Sequence, residues 1–157
     1  RNFYRWLSQG AVQGMVIAHA PTRRDAGLLE VEIKSKVRDK TNWRRMVSST
    51  PHTLDLLRLA EQLQASIKLP VGTAWVDDMQ DYKLTYPIQS HAPAQRLAVN
   101  ETHSELLDNL LGIKGQYLLL SQGAFNVAAH VGMAVEVEFG AAIDVAKLKS
   151  SDQLNLF

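Results

Sequence analysis

Cysteine is absent from the 157 residues, which excludes disulfides and thiolate metal sites within this chain. The five histidines, His19, His52, His91, His103 and His130, are scattered without ligand spacing, so no zinc is expected here. No apolar run approaches the roughly 18 residues of a membrane helix. The opening RNFYRWLSQG lacks the apolar stretch of a signal peptide, so a cytoplasmic protein without membrane contact is expected. Walker, dinucleotide-binding and Ser-His-Asp patterns are missing, as are internal repeats and low-complexity tracts.

A large excess of one charge is also missing, for the net charge is +1. That small figure conceals an asymmetry. Residues 1–50 hold ten Lys/Arg against four Asp/Glu, whereas 51–157 hold seven against twelve. A basic first third fits a polyanion-facing surface, and it equally fits a solvated face balancing an acidic neighbour. With 46% hydrophobic residues, the chain has material for one ordinary core or two small ones.

The pattern predicts an α+β chain. NFYRWLS reads as a short helix ended by Gly10, and AVQGMVIAHA as a buried strand. Thr22 and Asp25 form a capping-box-like start for a helix reaching about Val37. TNWRRMV suggests another short helix. A longer one is expected from Thr50 as N-cap with Pro51 in its first turn, facing inward with Leu54, Leu57, Leu63 and Ile67. Beyond Gly72, short β-like runs (KLTYPI, GQYLLL, AFNVAAH, MAVEVEF) predict a β-rich lobe over 70–148, an antiparallel sheet or small barrel. Residues 149–157 read as a flexible tail.

On a helical wheel, Ala26, Leu29, Ile33 and Val37 share one apolar stripe, with Glu30 at its edge and Glu32 turned away. A carboxylate beside apolar neighbours must be paired, neutral or bound to a cation. Pairing with Arg5, Arg24 or Lys34 and service as a metal ligand or acid/base group both remain open. Lys114 in GIKGQ sits between glycines, which suits either a phosphate-approaching loop or a tight connection into a strand. Trp6, Trp43, Trp75, Tyr82 and Tyr86 can stack on bases if exposed, Trp43 being flanked by Lys40, Arg44 and Arg45. Core packing is the common role of such rings, and it is the one expected of Tyr4.

RWLSQGA, AGLLEVEIKSKVRDKTNWRRM and LLGIKGQYLLL together resemble the bacterial uncharacterised-protein family numbered 2797 among the domains of unknown function. A remoter resemblance is to the GIY-YIG nucleases. There, two motif strands precede a helix with an essential Arg, then a strand, then a helix with a metal-binding Glu, and an Asn about a dozen residues on. Arg5, the AVQGMVIAHA run, Glu30 and Asn42 follow that order, so residues 1–69 are expected to form a partial GIY-YIG-like lobe. The resemblance implies phosphodiester hydrolysis with Glu30 holding Mg²⁺ or Mn²⁺ and Arg5 neutralising phosphoryl charge. Neither motif tripeptide occurs, and the chain starts where the second motif strand would end. A fragment or truncated relative is therefore expected, and a binding module without turnover stands beside the nuclease as an alternative. Either reading places DNA, with RNA left open, against Arg5, Arg38, Lys40, Trp43, Arg44 and Arg45.

The chain closes on QLNLF. Three apolar side chains at a terminus gain nothing unless something covers them. The segment resembles the peptide by which bacterial replication and repair proteins hold the DNA sliding clamp. That resemblance implies polar contacts from Gln153, orientation by Leu154, and a pocket filled by Leu156 and Phe157. Packing of the same residues on the β-rich lobe is the other expectation.

Overall fold

The structure, a computed structural model, describes residues 2–38, 40–100 and 105–141. It is α+β, and among the described residues its strands form open sheets rather than a barrel. Helix α1 (Asn2–Ser8) stops at Gly10, whose φ of +71° turns the chain back. The predicted strand that follows is broken into β1 (Gln13–Met15) and β2 (Ala18–His19). These pair antiparallel with β4 (Asp81–Lys83) and β3 (Ala74–Trp75), so residues 74–83 complete a layer begun by residues 13–19.

Helix α2 (Arg23–Lys34) starts as expected. Thr22 Oγ1 accepts from the Asp25 backbone N–H at 3.2 Å, and its hydroxyl donates to the Asp25 carboxylate. The helix ends at Lys34, three residues before the expected limit, where the Ser35 backbone N–H bonds Glu32 and Ile33 carbonyls. Asn42 then caps α3 (Trp43–Ser48) by accepting from the Arg45 N–H at 3.2 Å.

Helix α4 spans Leu56–Ser66 and is capped by Asp55, not Thr50. Long-range bonds hold the preceding residues out of a helix. Gln13 bonds both the Leu54 N–H, at 2.8 Å, and the Leu54 carbonyl, at 3.1 Å, while Thr50 Oγ1 bonds the His91 ring. The late start leaves Leu54 and Leu57 exposed, whereas Leu63 and Ile67 face inward as expected, joined by Ala60.

The largest sheet has the order β5-β8-β7-β6: β5 (Arg96–Leu97), β8 (Gly123–Asn126), β7 (Tyr117–Leu120) and β6 (Leu110–Lys114). It is antiparallel except at β5, which runs parallel to β8. Gly115, at φ +59°, opens the two-residue turn between β6 and β7, and an added Cβ there would lie 2.6 Å from the Ser8 carbonyl oxygen. The turn is thereby locked under α1, with the Gln116 N–H donating to Ser8 O. AFNVAAH gives only half a strand before a 3₁₀ turn, Val127–His130. MAVEVEF forms no strand: among the described residues nothing pairs with 133–139, and Met133, Val135, Val137 and Phe139 are exposed.

Two small cores result. Met46 and Val47 of α3 pack on Leu119 and Ala124 of the sheet, with Ala92, Trp43 and Tyr117 around them. Leu29 of α2 packs on Leu63 of α4 and on Ile67 just past its end, flanked by Ile17, Ile33, Val37 and Trp75.

Candidate nucleic-acid interface

The apolar stripe of α2 covers the second core only in part. Between α2 and β2 an open groove of about 610 Å³ remains, floored by Val16, Ala18, Ala26, Leu29 and Ile33, and rimmed by His19, Glu30, Lys34 and Arg38. A second groove of about 500 Å³ lies where α2 runs out toward α3, lined by Lys34, Val37, Arg38, Lys40, Thr41 and Asn42. Lys34, Val37 and Arg38 belong to both, so the two grooves share a wall.

Glu30 stands at this rim with its side chain 51% exposed, and its carboxylate meets Lys34 Nζ at 3.3 Å one turn along. Of the partners open from sequence, Lys34 is the one bonded. Glu32 is solvated on the outer face, as its wheel position implies. Asn42 reaches the second groove, but its side-chain oxygen is engaged in capping α3. Arg5 is exposed on α1 and lines neither groove.

Arg38, Lys40, Arg44 and Arg45 are exposed and make no ion pair among the described residues. Arg44 lays its guanidinium 5.0 Å from the Trp43 ring centroid. Trp43 is itself half-buried against the sheet core and stacks on Tyr117, ring centroids 6.1 Å apart and 5° from parallel. Its role in this fold is therefore packing. Tyr4, read as a packing residue, is largely exposed. His19 is the rim residue that sequence reasoning missed, while Lys34 enters from sequence only as a partner for Glu30, at the favourable Glu-x-x-x-Lys spacing on a helix.

Lys114 does not face a ligand. It is 1% exposed, and its Nζ donates to the Met46 carbonyl at 2.8 Å, satisfying an acceptor left open in the last turn of α3. Burial pushes its pKa below the usual lysine value. Tyr86 plays a similar bracing part: its hydroxyl lies 2.8 Å from Ala11 O and 3.2 Å from Leu7 O, and burial raises its pKa.

Among the described residues no three His, Asp or Glu side chains gather to hold a metal, and no helix is long and apolar enough to cross a membrane. Glu30 alone offers one carboxylate, with Lys34 already against it. Gln153, Leu154, Leu156 and Phe157 lie outside the described residues. A family described as "Protein of unknown function (DUF2797)" matches residues 1–135. Comparison with curated proteins and with solved structures gives no match.

Proposed function

The chain belongs to the DUF2797 family, and from the grooves beside α2 we propose that it is a nucleic-acid-binding protein of DNA metabolism. The observation that carries this reading is the gathering of Lys34, Arg38 and Lys40 around two adjoining grooves, with Arg44 and Arg45 on the next helix. Cations set on fixed elements along a concave surface are what a phosphate backbone requires. Affinity of the full chain for a labelled DNA duplex should fall steeply as salt is raised from about 50 to 200 mM. Arg38→Ser combined with Lys40→Ser should weaken binding about tenfold and flatten the salt slope by one to two phosphate contacts. A response independent of salt, or equal binding by the double variant, removes the proposal.

A nuclease on the same surface is the second reading, favoured by Glu30 and Asn42 lining adjoining grooves. In it Glu30 would hold Mg²⁺ or Mn²⁺ in place of its pair with Lys34, the cation would supply charge stabilisation at the phosphoryl group, and Arg5 would have to come from another face. The binding module needs neither rearrangement, so it is preferred. The tail QLNLF supplies recruitment to the bacterial sliding clamp in both readings. A variant lacking Leu156 and Phe157 should lose the micromolar or weaker clamp affinity that a short apolar peptide provides. Equal clamp binding by parent and variant would separate the tail from this role.

A further inference from the structure

We propose that the outer face of α2 is a self-association surface, on which a second copy of this chain lays its own α2 antiparallel about a two-fold axis near Leu28. Leu28 and Val31 line neither groove, so this surface stands apart from the nucleic-acid reading.

A helix lying on a core keeps one apolar stripe and turns a polar face to water. Helix α2 does not. Its inner stripe carries Leu29 and Ile33 onto the second core. On the opposite side, at about 100° per residue, Arg24, Leu28, Val31 and Ser35 fall within about 60° of one another. Leu28 is 50% exposed and Val31 65%. Gly27 adjoins them, and a Cβ added there would meet nothing within 4 Å, so the backbone is open to close approach from outside.

The charges on this face select the occupant. Arg24 lies one turn before Leu28 and Glu32 one turn after it; both are exposed, and neither has an ion pair among the described residues. They stand about 12 Å apart along the helix, too far to meet within one chain. Reversing a second α2 across the first about Leu28 brings each Arg24 level with Glu32 of the other copy, twice over, as a two-fold axis requires. Leu28 then meets Leu28, and Val31 of each copy enters the space that Gly27 leaves open on the other. A parallel pairing would set Arg24 on Arg24 and Glu32 on Glu32, so like charges disfavour it. The neighbouring acid, Asp25, is engaged at the helix start, where its carboxylate accepts from the Thr22 hydroxyl. A polyanion would meet Glu32, and an apolar ligand would bury both charges unpaired. With one helix of 12 residues on each side, the contact falls below roughly 1,200 Å² and the dimer is weak.

Sedimentation equilibrium of the full chain over roughly 5–500 µM should show monomer passing to dimer, with a Kd on the order of 100 µM. Leu28→Gln combined with Val31→Gln keeps helix propensity and should weaken the dimer by about tenfold or more, as loss of the central apolar contacts does. Because both side chains are exposed, thermal unfolding of that variant at the dilute end of the range should match the parent. Arg24→Glu alone and Glu32→Arg alone should each weaken association about threefold to tenfold, and the two together should restore it, since reversed charges again meet across the axis. That recovery needs an antiparallel pair. A monomer throughout, a dimer that the glutamine variant leaves intact, or charge reversals that do not compensate overturn the proposal. If a dimer appears only after Leu156 and Phe157 are removed, the chain's own tail is the occupant and the second copy is not.

Discussion

Lys34 and Lys114 are the same residue used in opposite ways by the two halves of the molecule. Lys114 leaves β6 inward, loses its water and gives its ammonium to the Met46 carbonyl. Lys34 stays at the groove rim, 45% exposed, against Glu30. In the sheet half, charge is spent on tying α3 to the strands, whereas in the half around α2 it is left at the surface. The difference follows from packing. The α3 side chains Met46 and Val47 close over Leu119 and Ala124, but α2 is too narrow a cover for the short strands β1 and β2 and leaves an open groove. On the proposed reading, ligand recognition belongs to the half where the cover is incomplete.

The strongest way to break this contrast is to remove Lys114. Lys114→Ala should destabilise the fold by about 2–5 kcal/mol in chemical denaturation, from a cavity plus an unsatisfied helix carbonyl. Lys114→Met, which keeps the volume, should cost much less. A loss under about 1 kcal/mol for the alanine variant would show that the lysine is not a structural brace.

The pH dependence sharpens the same point. Because burial lowers the folded pKa of Lys114 below its usual 10.5, the unfolded chain binds more protons between those two values. Stability should therefore rise with pH through that window. Tyr86 acts in the opposite sense. Its folded pKa lies above 10.0, so above pH 10 the unfolded chain loses the phenolic proton first and stability falls. The parent should show a rise followed by a fall, Lys114→Met only the fall, and Tyr86→Phe only the rise. Denaturant midpoints measured from pH 8 to 11 decide it. A rise that persists in Lys114→Met would assign it to another group.

What was legible in the sequence was local. Thr22 with Asp25, and Gly10 after α1, are read within four residues, and both work as expected. Thr50-Pro51 carries an equally good local helix start, yet Gln13, His91 and Leu54 lie far apart in sequence and together override it. MAVEVEF has the alternation of a strand, but alternation cannot supply the neighbour that a strand needs. The basic character of the candidate site was visible in the charge count, and Glu30, Arg38, Lys40 and Asn42 were named from sequence. His19 enters only through the packing of α2 on β2, and Arg5 falls outside both grooves.

The smallest expected effect concerns Glu30, where the two readings of the groove separate. Its pair with Lys34 has the favourable Glu-before-Lys order, but both side chains are about half exposed. Glu30→Gln should therefore change stability by only a few tenths of a kcal/mol. A group so weakly tied to the fold can be altered without disturbing the surface around it, and any large consequence must come from chemistry. If the groove only binds nucleic acid, the parent cleaves nothing with Mg²⁺ or Mn²⁺, and Glu30→Gln binds DNA as well or slightly better, since a negative charge has left a cationic rim. If the groove is a nuclease, the parent cleaves with either cation and Glu30→Gln abolishes cleavage while duplex affinity holds. Cleavage by both proteins at equal rate would take Glu30 out of the chemistry altogether. Loss of binding in Glu30→Gln would instead show that the Glu30–Lys34 pair orients the lysine toward phosphate.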